Sequence, residues 1–289
     1  MSELVTLQRP PARLDPALLE SKQRRLFDSL KGLGRVVVAY SGGADSAYLA
    51  WAAHHVLGDG AIAVTADSAS IPASHKRHAE AFASEWGLRH QYIATHEFDN
   101  PDYVRNDKDR CFHCKDELFE QLHAFAAERG FRHIIYGVNQ DDLGDYRPGQ
   151  KAARIHEVEA PLAEAGLTKS EIRELSRRAG LSTWDRPAAA CLSSRVPYGT
   201  PVTVETIRTI EAGEEAVKAL GFRQYRVRFH GDLVRLEFAT DELARAMTPE
   251  MFSSLAAIFK RLGFLYVTVD VEGYRQGSLN AALRDVAAG

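Results

Sequence analysis

Two sets of residues in this sequence have types and spacings that can do chemistry. The first is the loop Ser41-Gly42-Gly43-Ala44-Asp45-Ser46, which follows a β-branched run at residues 36–38. Backbone N–H groups of a glycine turn before a helix converge on one point, where the helix dipole favours negative charge. Gly42 and Gly43 let the backbone approach a phosphate closely, and Asp45 offers a carboxylate to Mg²⁺. The loop therefore predicts a phosphate site with a magnesium ligand.

The second set begins with two cysteines at a predicted helix start. Cys111 and Cys114 are three positions apart and so share one face of that helix. The helix start and the flanking Arg110 and Lys115 favour the thiolate form. Such a pair suits a redox couple, or two ligands of a metal ion or an iron–sulfur cluster. Two small thiols packed in a core are the plainer alternative.

The third cysteine, Cys191, lies in a segment that prolines and small residues keep from forming a helix. A thiol, two hydroxyls and a guanidinium follow one another closely there, in Cys191, Ser193, Ser194 and Arg195. If the three cysteines converge, they bind three corners of a cubane cluster and leave one iron open for a ligand such as sulfide. Zinc would instead need a fourth ligand, for which His113 is available.

An alternation of helices and strands must position these groups. Hydrophobic periodicity and turn residues predict helices over 16–30, 47–57, 73–86 and 106–128, and strands from residue 36 and over 61–66, 90–94 and 131–137. Asp15 is the predicted N-cap of the first helix, and Thr168 with Glu171 three positions on predicts a further helix that ends at Gly180. This order is typical of a doubly wound α/β domain with a mostly parallel sheet. Ligands bind such sheets beyond the carboxyl ends of the strands. The phosphate loop and a polar loop containing Arg147, a candidate phosphate contact, follow strands in this way.

The remaining chain predicts a smaller α+β unit. A helix over 202–220, strands over 222–230 and 233–238, a helix restarting at residue 248 and a strand over 264–271 follow in order. Arg226 and Arg228 are two apart on a strand and project to one face, where their guanidinium groups suit phosphate. A basic outer strand face is the plainer interpretation. We predict a nucleotide domain at 1–200 and a second domain at 201–289.

Composition limits the function classes. The chain has 289 residues, 45% of them hydrophobic and 26% charged, with a net charge of −3. An acidic balance weighs against a large nucleic-acid footprint, which needs a basic face. We expect no signal peptide, because no basic segment with an apolar core begins the chain, and no membrane span. Three cysteines do not make a disulfide framework, so we expect a reducing cytoplasm.

The loop at residues 41–46 resembles the SGGxDS loop of the PP-loop ATP pyrophosphatases, which cleave ATP between the α and β phosphates and transfer AMP. Three further motifs, at residues 145–149, 193–200 and 226–230, together resemble the LarE family over nearly the whole chain. LarE proteins are ATP-dependent sulfur transferases of nickel-pincer nucleotide cofactor synthesis. They adenylate a carboxylate of a pyridinium dicarboxylate mononucleotide, and a sulfur nucleophile then displaces AMP and leaves a thiocarboxylate.

The resemblance implies roles for matched residues. Ser41, Gly42, Gly43, Asp45 and Ser46 would bind ATP with Mg²⁺, and Lys115 would lie near the reacting centre. The phosphate or nucleotide of the substrate would be held by Ser194, Arg195, Arg226 and Arg228. A homo-oligomer, a hexamer in that family, is also implied.

One departure bears on the sulfur source. In LarE proteins that sacrifice a cysteine, it lies five residues before the arginine of the Ser-Ser-Arg motif, where this chain has Ala190. The present pattern resembles the branch in which three cysteines hold a [4Fe–4S] cluster, here Cys111, Cys114 and Cys191. The alternatives are Cys191 as a sacrificial donor, a tRNA thiolase of the PP-loop class, and a non-catalytic nucleotide-binding regulator.

Overall fold

The computed structural model describes residues 14–144, 148–186 and 190–275. Its first part contains the expected alternation of helices and strands, with three additional short helices. The elements are α1 Pro16–Leu33, β1 Val36–Ala39, α2 Ala44–Leu57, β2 Ala61–Asp67, α3 Ala73–Glu85, β3 His90–Ala94, α4 Pro101–Val104, α5 Arg110–Arg129, β4 His133–Tyr136, α6 Pro148–Ile155, α7 Pro161–Glu164 and α8 Lys169–Arg178.

Local sequence signals set several helix starts. The Asp15 side chain accepts hydrogen bonds from the first backbone N–H groups of α1, at 2.9 Å from Ala17 N. At α8, Thr168 and Glu171 form the capping box that the Thr-x-x-Glu spacing predicts. Both starts were predictable because a cap depends on residues within one helical turn.

The first four strands form one parallel sheet in the order β3-β2-β1-β4. Central strand β1 is buried over its full length, as expected for a strand covered on both faces. One hydrophobic cluster packs α1, α2, α3 and α8 on one face, and a second packs α5 and α6 on the other. This arrangement confirms the α/β fold, and it places the loops after β1, β2, β3 and β4 at one edge.

The last part of the chain forms a second, three-stranded sheet together with three helices. Its elements are α9 Val204–Ala219, β5 Tyr225–His230, β6 Leu233–Phe238, α10 Thr240–Ala246, α11 Pro249–Arg261 and β7 Tyr266–Val269. Strands β5 and β6 pair antiparallel, and β6 and β7 pair parallel. The hydrophobic cluster of this sheet also contains Tyr103 and Leu192 from the first part of the chain. The domain boundary at residue 200 stays a prediction.

Some expectations need correction. Strand β4 begins two residues later and ends one residue earlier than predicted, and β7 is shorter at both ends, because the ladder pairs cover only residues 133–136 and 266–269. The segment with Cys191 contains one turn of 3₁₀ helix, Leu192–Arg195, where we expected no helix. The proposed phosphate contact Arg147 and its neighbours Asp145 and Tyr146 lie outside the described residues. Among the described helices, none is long and apolar enough to cross a membrane.

Candidate active site

The glycine–serine loop joins the end of β1 to the start of α2 and is stabilised by its own serines. The Ser46 hydroxyl donates to the Gly43 carbonyl at 3.1 Å and lies 3.0 Å from the Ser41 hydroxyl. Gly42 has a φ of +74°, a conformation that favours glycine. No side chain of the N-cap Gly43 bonds to the first N–H groups of this 14-residue helix, so they remain available to an anion.

Asp45 in the first turn of α2 faces the loop that follows β4. Its Oδ2 accepts from the Asn139 side chain at 3.3 Å, while its Oδ1 is buried without a hydrogen-bond partner among the described residues. Burial raises the pKa of the Asp45 carboxyl, Lys169 lowers it and Asp142 raises it. A carboxylate oxygen buried in this way, near a second acid, fits a bound cation.

A cavity of about 450 Å³ opens beside this loop and separates it from the second sheet. Ser41 and Gly42 form one wall, and the Arg186 guanidinium holds that wall by donating to the Gly42 carbonyl at 2.8 Å. The other lining residues come from α3, α9, β5 and the segment after α8: Pro72, Ser74, His75, His78, Ala190, Leu192, Arg195, Glu211, Glu214, Glu215, Lys218, Phe222, Arg223, Tyr225 and Arg226. Phosphate groups and a second substrate would therefore share one space.

Arg195 and Ser194 hold the segment that carries Cys191. The Arg195 guanidinium is 3% exposed and binds Glu214 through two bonds of 2.8 and 3.0 Å. It also donates to the carbonyl of Cys191 at 2.9 Å, which the Ser194 hydroxyl contacts at 2.7 Å. Both residues lie close to Cys191, and the hydrogen bonds described here join them to other residues of the protein. Their role in holding the substrate stays a prediction.

The two arginines of β5 have different surroundings. Arg228 is buried, binds Glu237 at 2.7 Å and donates to the Ser194 carbonyl at 2.9 Å. Arg226 lines the cavity and stacks its guanidinium 4.7 Å from the centre of the Tyr274 ring. Burial and the neighbouring Arg195 charge lower the pKa of Arg226. The positive charge around Arg226 favours an anion in the cavity beside it.

The structure brings the three cysteines into electrostatic range of one another. Burial raises the pKa of the Cys111 and Cys114 thiols, and charge on Cys191 raises both further. Part of the Cys111 residue is solvent-exposed, whereas its thiol lies among protein atoms. Lys115 lowers the pKa of both thiols and Arg110 lowers that of Cys111, but burial outweighs these charges, so the expectation that the thiolate form is favoured is wrong. Within the described ranges, no three His, Cys, Asp or Glu side chains are drawn together around a single-ion site.

Sequence reasoning missed Glu97, which follows β3 at the same sheet edge. Glu97 is 2% exposed, and its Oε1 accepts from the hydroxyls of Ser68 and Ser70. Its charge also raises the pKa of Cys114, so it borders the cysteine site. Arg186, His75 and Glu214 were missed as well. Burial and the Arg195 charge lower the pKa of His75 to about 4, which leaves a neutral imidazole in the cavity wall. Of these four missed residues, only Glu97 had a signal in the sequence, namely its position just after a predicted strand.

A parallel sheet with a glycine–serine loop between a central strand and a helix at its carboxyl edge is an α/β fold consistent with a PP-loop domain. No protein-family model matches the chain. An uncharacterized protein of Synechocystis sp. is 41% identical over 266 residues, which is 92% of this chain and 99% of that protein. An uncharacterized protein of Methanocaldococcus jannaschii is 25% identical over 248 residues, 83% of this chain and 91% of that protein.

The pyridinium-3,5-bisthiocarboxylic acid mononucleotide synthase of Lactiplantibacillus plantarum is 34% identical over 269 residues, which is 92% of this chain and 96% of that enzyme. The chain therefore belongs to the family of that synthase, the LarE family that the motifs predict. This membership confirms the expectation of an enzyme. Membership of the three-cysteine branch stays a prediction.

Proposed function

We propose that this protein uses ATP to adenylate a carboxylate of a pyridinium-3,5-dicarboxylate mononucleotide and then converts it to a thiocarboxylate. The observation that carries the proposal is the shared cavity. Ser41 and Gly42 of the glycine–serine loop line the same cavity as Arg226, and so do Ala190 and Leu192, the chain neighbours of Cys191. The name of the Lactiplantibacillus relative supplies the substrate class.

The first step joins substrate and nucleotide. A carboxylate oxygen of the substrate attacks the α-phosphorus of ATP, and the bond to pyrophosphate breaks. The backbone N–H groups of residues 42–46 and the Ser41 and Ser46 hydroxyls would hold the phosphates. Asp45 would bind Mg²⁺, which neutralises charge on the departing pyrophosphate. Catalysis of this kind consists of positioning and charge stabilisation, and both need a rigid loop.

The second step transfers sulfur. A sulfur nucleophile attacks the acyl carbon of the adenylate, and the bond from that carbon to AMP breaks. Arg226 would bind the anionic part of the mononucleotide, since its guanidinium lies in the cavity wall. The buried Arg228 and Arg195 would support this wall through Glu237 and Glu214. Lys115 would lie beside the thiols near the reacting centre.

The donor set fits a [4Fe–4S] cluster held by Cys111, Cys114 and Cys191. Three cysteines are the ligand number that leaves one iron of the cluster open, and charge on Cys191 acts on both Cys111 and Cys114. When bound, the cluster would supply a sulfide at the iron that has no protein ligand. The same reaction with Cys191 as a sacrificial donor is the second candidate, which the position of Cys191 beside the cavity favours.

The remaining expectations enter as parts of this proposal. We propose a cytoplasmic enzyme that forms a homo-oligomer, acts on a small nucleotide and binds neither membrane nor nucleic acid. The tRNA thiolase alternative predicts tight binding of bulk tRNA that weakens steeply with salt. A gel-shift assay at two salt concentrations tests it, and retention of tRNA at both would favour that class instead.

The test of the proposed function is pyrophosphate release with ATP, Mg²⁺ and the dicarboxylate mononucleotide. We expect release in the wild type, about 100-fold slower release in Asp45→Ala, and an AMP product. Asp59→Ala, outside the site in the short 3₁₀ helix Gly58–Gly60, is the matched control and should keep the wild-type rate. Wild-type release by Asp45→Ala would contradict the assignment of the loop. ATP binding without pyrophosphate release would favour a nucleotide-binding regulator.

A further inference from the structure

Arg110 joins the two chain segments that carry the cysteines. It is the first residue of α5 and precedes Cys111 in the chain. The residue is 4% exposed, and its Nη1 donates to the Ser193 carbonyl at 2.9 Å, two residues beyond Cys191. The same nitrogen contacts the Asn106 side-chain oxygen. One guanidinium therefore holds the Cys191 segment against the helix of Cys111 and Cys114.

Asn106 strengthens this junction from the other side. It is fully buried with a positive φ of 61°, and its side chain donates to the carbonyls of Pro197 and Thr200, each at 2.8 Å. A positive φ is an uncommon backbone conformation for a residue other than glycine, and surrounding contacts must maintain it. The segment after Cys191 is thus fastened to Asn106 and Arg110 at several points, and its position depends on them.

Arg110 differs from the other buried arginines near the site in its ion pairing. Among the described residues, no Asp or Glu oxygen lies within ion-pair distance of its guanidinium. The equally buried Arg195 and Arg228 pair with Glu214 and Glu237 at 2.8 and 2.7 Å. Burying an unpaired guanidinium is expensive, so a structure that keeps one provides an anion from another source.

The groups within reach of this charge are the cysteine thiols and a tyrosine ring. The Arg110 side chain hydrogen-bonds the Cys111 thiol, and its charge also acts on Cys191. Its guanidinium lies 5.6 Å from the centre of the Tyr198 ring. Lys115 and Glu97 act on Cys114 with opposite sign. Cysteines bind a metal group as thiolates, so a bound group would place negative charge beside Arg110.

We propose that Arg110 is the counter-cation of the three-cysteine site, where it positions the Cys191 segment and balances the negative charge of a thiolate-bound group. The proposal rests on the proposed cluster. With no fourth ligand on the open iron, a dicationic [4Fe–4S] core with three thiolates would carry one net negative charge, which a single guanidinium balances. Charge and hydrogen bonding next to a cluster set its reduction potential, and such outer contacts also govern retention of the metal.

The experiment compares Arg110→Gln and Arg110→Lys with the wild-type full-length protein after anaerobic reconstitution with iron and sulfide. Arg105→Gln is the matched control, because Arg105 lies five positions before Arg110 but is exposed and paired with Asp102 and Asp107. Three quantities are measured: iron per chain, the rate of iron loss to a chelator, and the midpoint potential of the cluster. Circular dichroism and pyrophosphate release report the fold and the adenylation step.

We expect Arg110→Gln to lose iron about 10- to 100-fold faster than the wild type and to shift the midpoint potential to more negative values. Arg110→Lys should restore the potential, because it restores the charge, but only part of the retention, because an ammonium does not reproduce the paired contacts of the guanidinium. Arg105→Gln should match the wild type in both.

Two results would overturn the proposal. An Arg110→Gln protein with normal fold and wild-type potential shows that Arg110 is only structural, even if iron is lost faster. If Arg110→Gln fails to fold, Arg110→Lys is measured instead. Lysine keeps the positive charge, so a shifted midpoint potential in folded Arg110→Lys would contradict a role for charge. A wild type that holds no iron refutes both this proposal and sulfur delivery through a cluster. Pyrophosphate release in the same preparation then shows whether adenylation stands.

Discussion

Gly137, just beyond the end of β4, lies directly against the backbone of Ser46 in the first turn of α2. A Cβ atom on Gly137 would stand 2.9 Å from both the nitrogen and the Cα of Ser46. Contacts this close with backbone require one of the two elements to move. The end of a neighbouring strand therefore sets the position of the phosphate loop.

We predict that Gly137→Ala weakens ATP use. The added methyl group displaces the helix start by overpacking, which destabilises the fold by about 1–3 kcal/mol. Pyrophosphate release should fall by about tenfold or more, because small displacements of binding groups reduce rates strongly. Steady-state kinetics and denaturation measure both effects. The control is Gly144→Ala, where a Cβ meets no atom of the described residues within 4 Å. Equal behaviour of the two variants would contradict the packing argument.

The two arginines of β5 should fail in different ways. Arg226→Gln changes the cavity wall, so we expect the KM for the mononucleotide to rise about 10- to 100-fold while the KM for ATP changes less. Arg228→Gln leaves the fully buried Glu237 with a weaker partner, Arg235 at 3.3 Å, and should lower the free energy of unfolding by about 3 kcal/mol. Kinetics and urea denaturation of both variants separate the two roles. An unchanged stability of Arg228→Gln would contradict this division.

The ion pair of Lys22 and Glu171 gives the fold a pH dependence. Burial alone raises the pKa of the Glu171 carboxyl, but bonds from Lys22 and from the Thr168 backbone and hydroxyl outweigh it and lower the pKa below its ordinary 4.5. A lowered pKa means that the stabilisation is complete above pH 4.5 and is lost as the pH falls through the lowered value.

We therefore expect Glu171→Gln to be about 2 kcal/mol less stable than the wild type at pH 7. The difference should shrink as the pH falls below 4.5, once the wild-type carboxyl gains its proton. Chemical denaturation over this pH range measures it. Asp28→Asn, which breaks an exposed pair with Lys31, is the control and should change stability by less than about 1 kcal/mol. A constant difference between pH 7 and pH 3 would be the contrary result.

Removal of one thiol should remove the iron. In anaerobically purified protein we expect about four irons per chain with broad visible absorbance, and Cys191→Ala should lose both. Retention of iron by Cys191→Ala would exclude Cys191 as a ligand. If the wild type holds no iron after reconstitution, the mass of the chain after turnover distinguishes a sacrificial Cys191, which loses its sulfur, from an external donor.

Local signals in the sequence were enough for most of the longer helices and strands and for the strand–loop–helix around Gly42. The caps at Asp15 and Thr168 and the strand–loop–helix around Gly42 depend on residues within a few positions, and the structure has them where they were expected. The motif order along the chain also indicated the family. Such features are predictable because backbone hydrogen bonding and steric preferences act over one turn.

Contacts between distant segments could be decided only by the tertiary structure. The packing of Arg110 against Ser193 brings Cys191 to the helix of Cys111 and Cys114, a contact that no local pattern encodes. Likewise, the sequence places Arg226 and Arg228 on one strand face with equal claims to a ligand. Because Glu237 of the neighbouring strand is buried and binds Arg228, only the structure shows that Arg226 lines the cavity while Arg228 supports the fold.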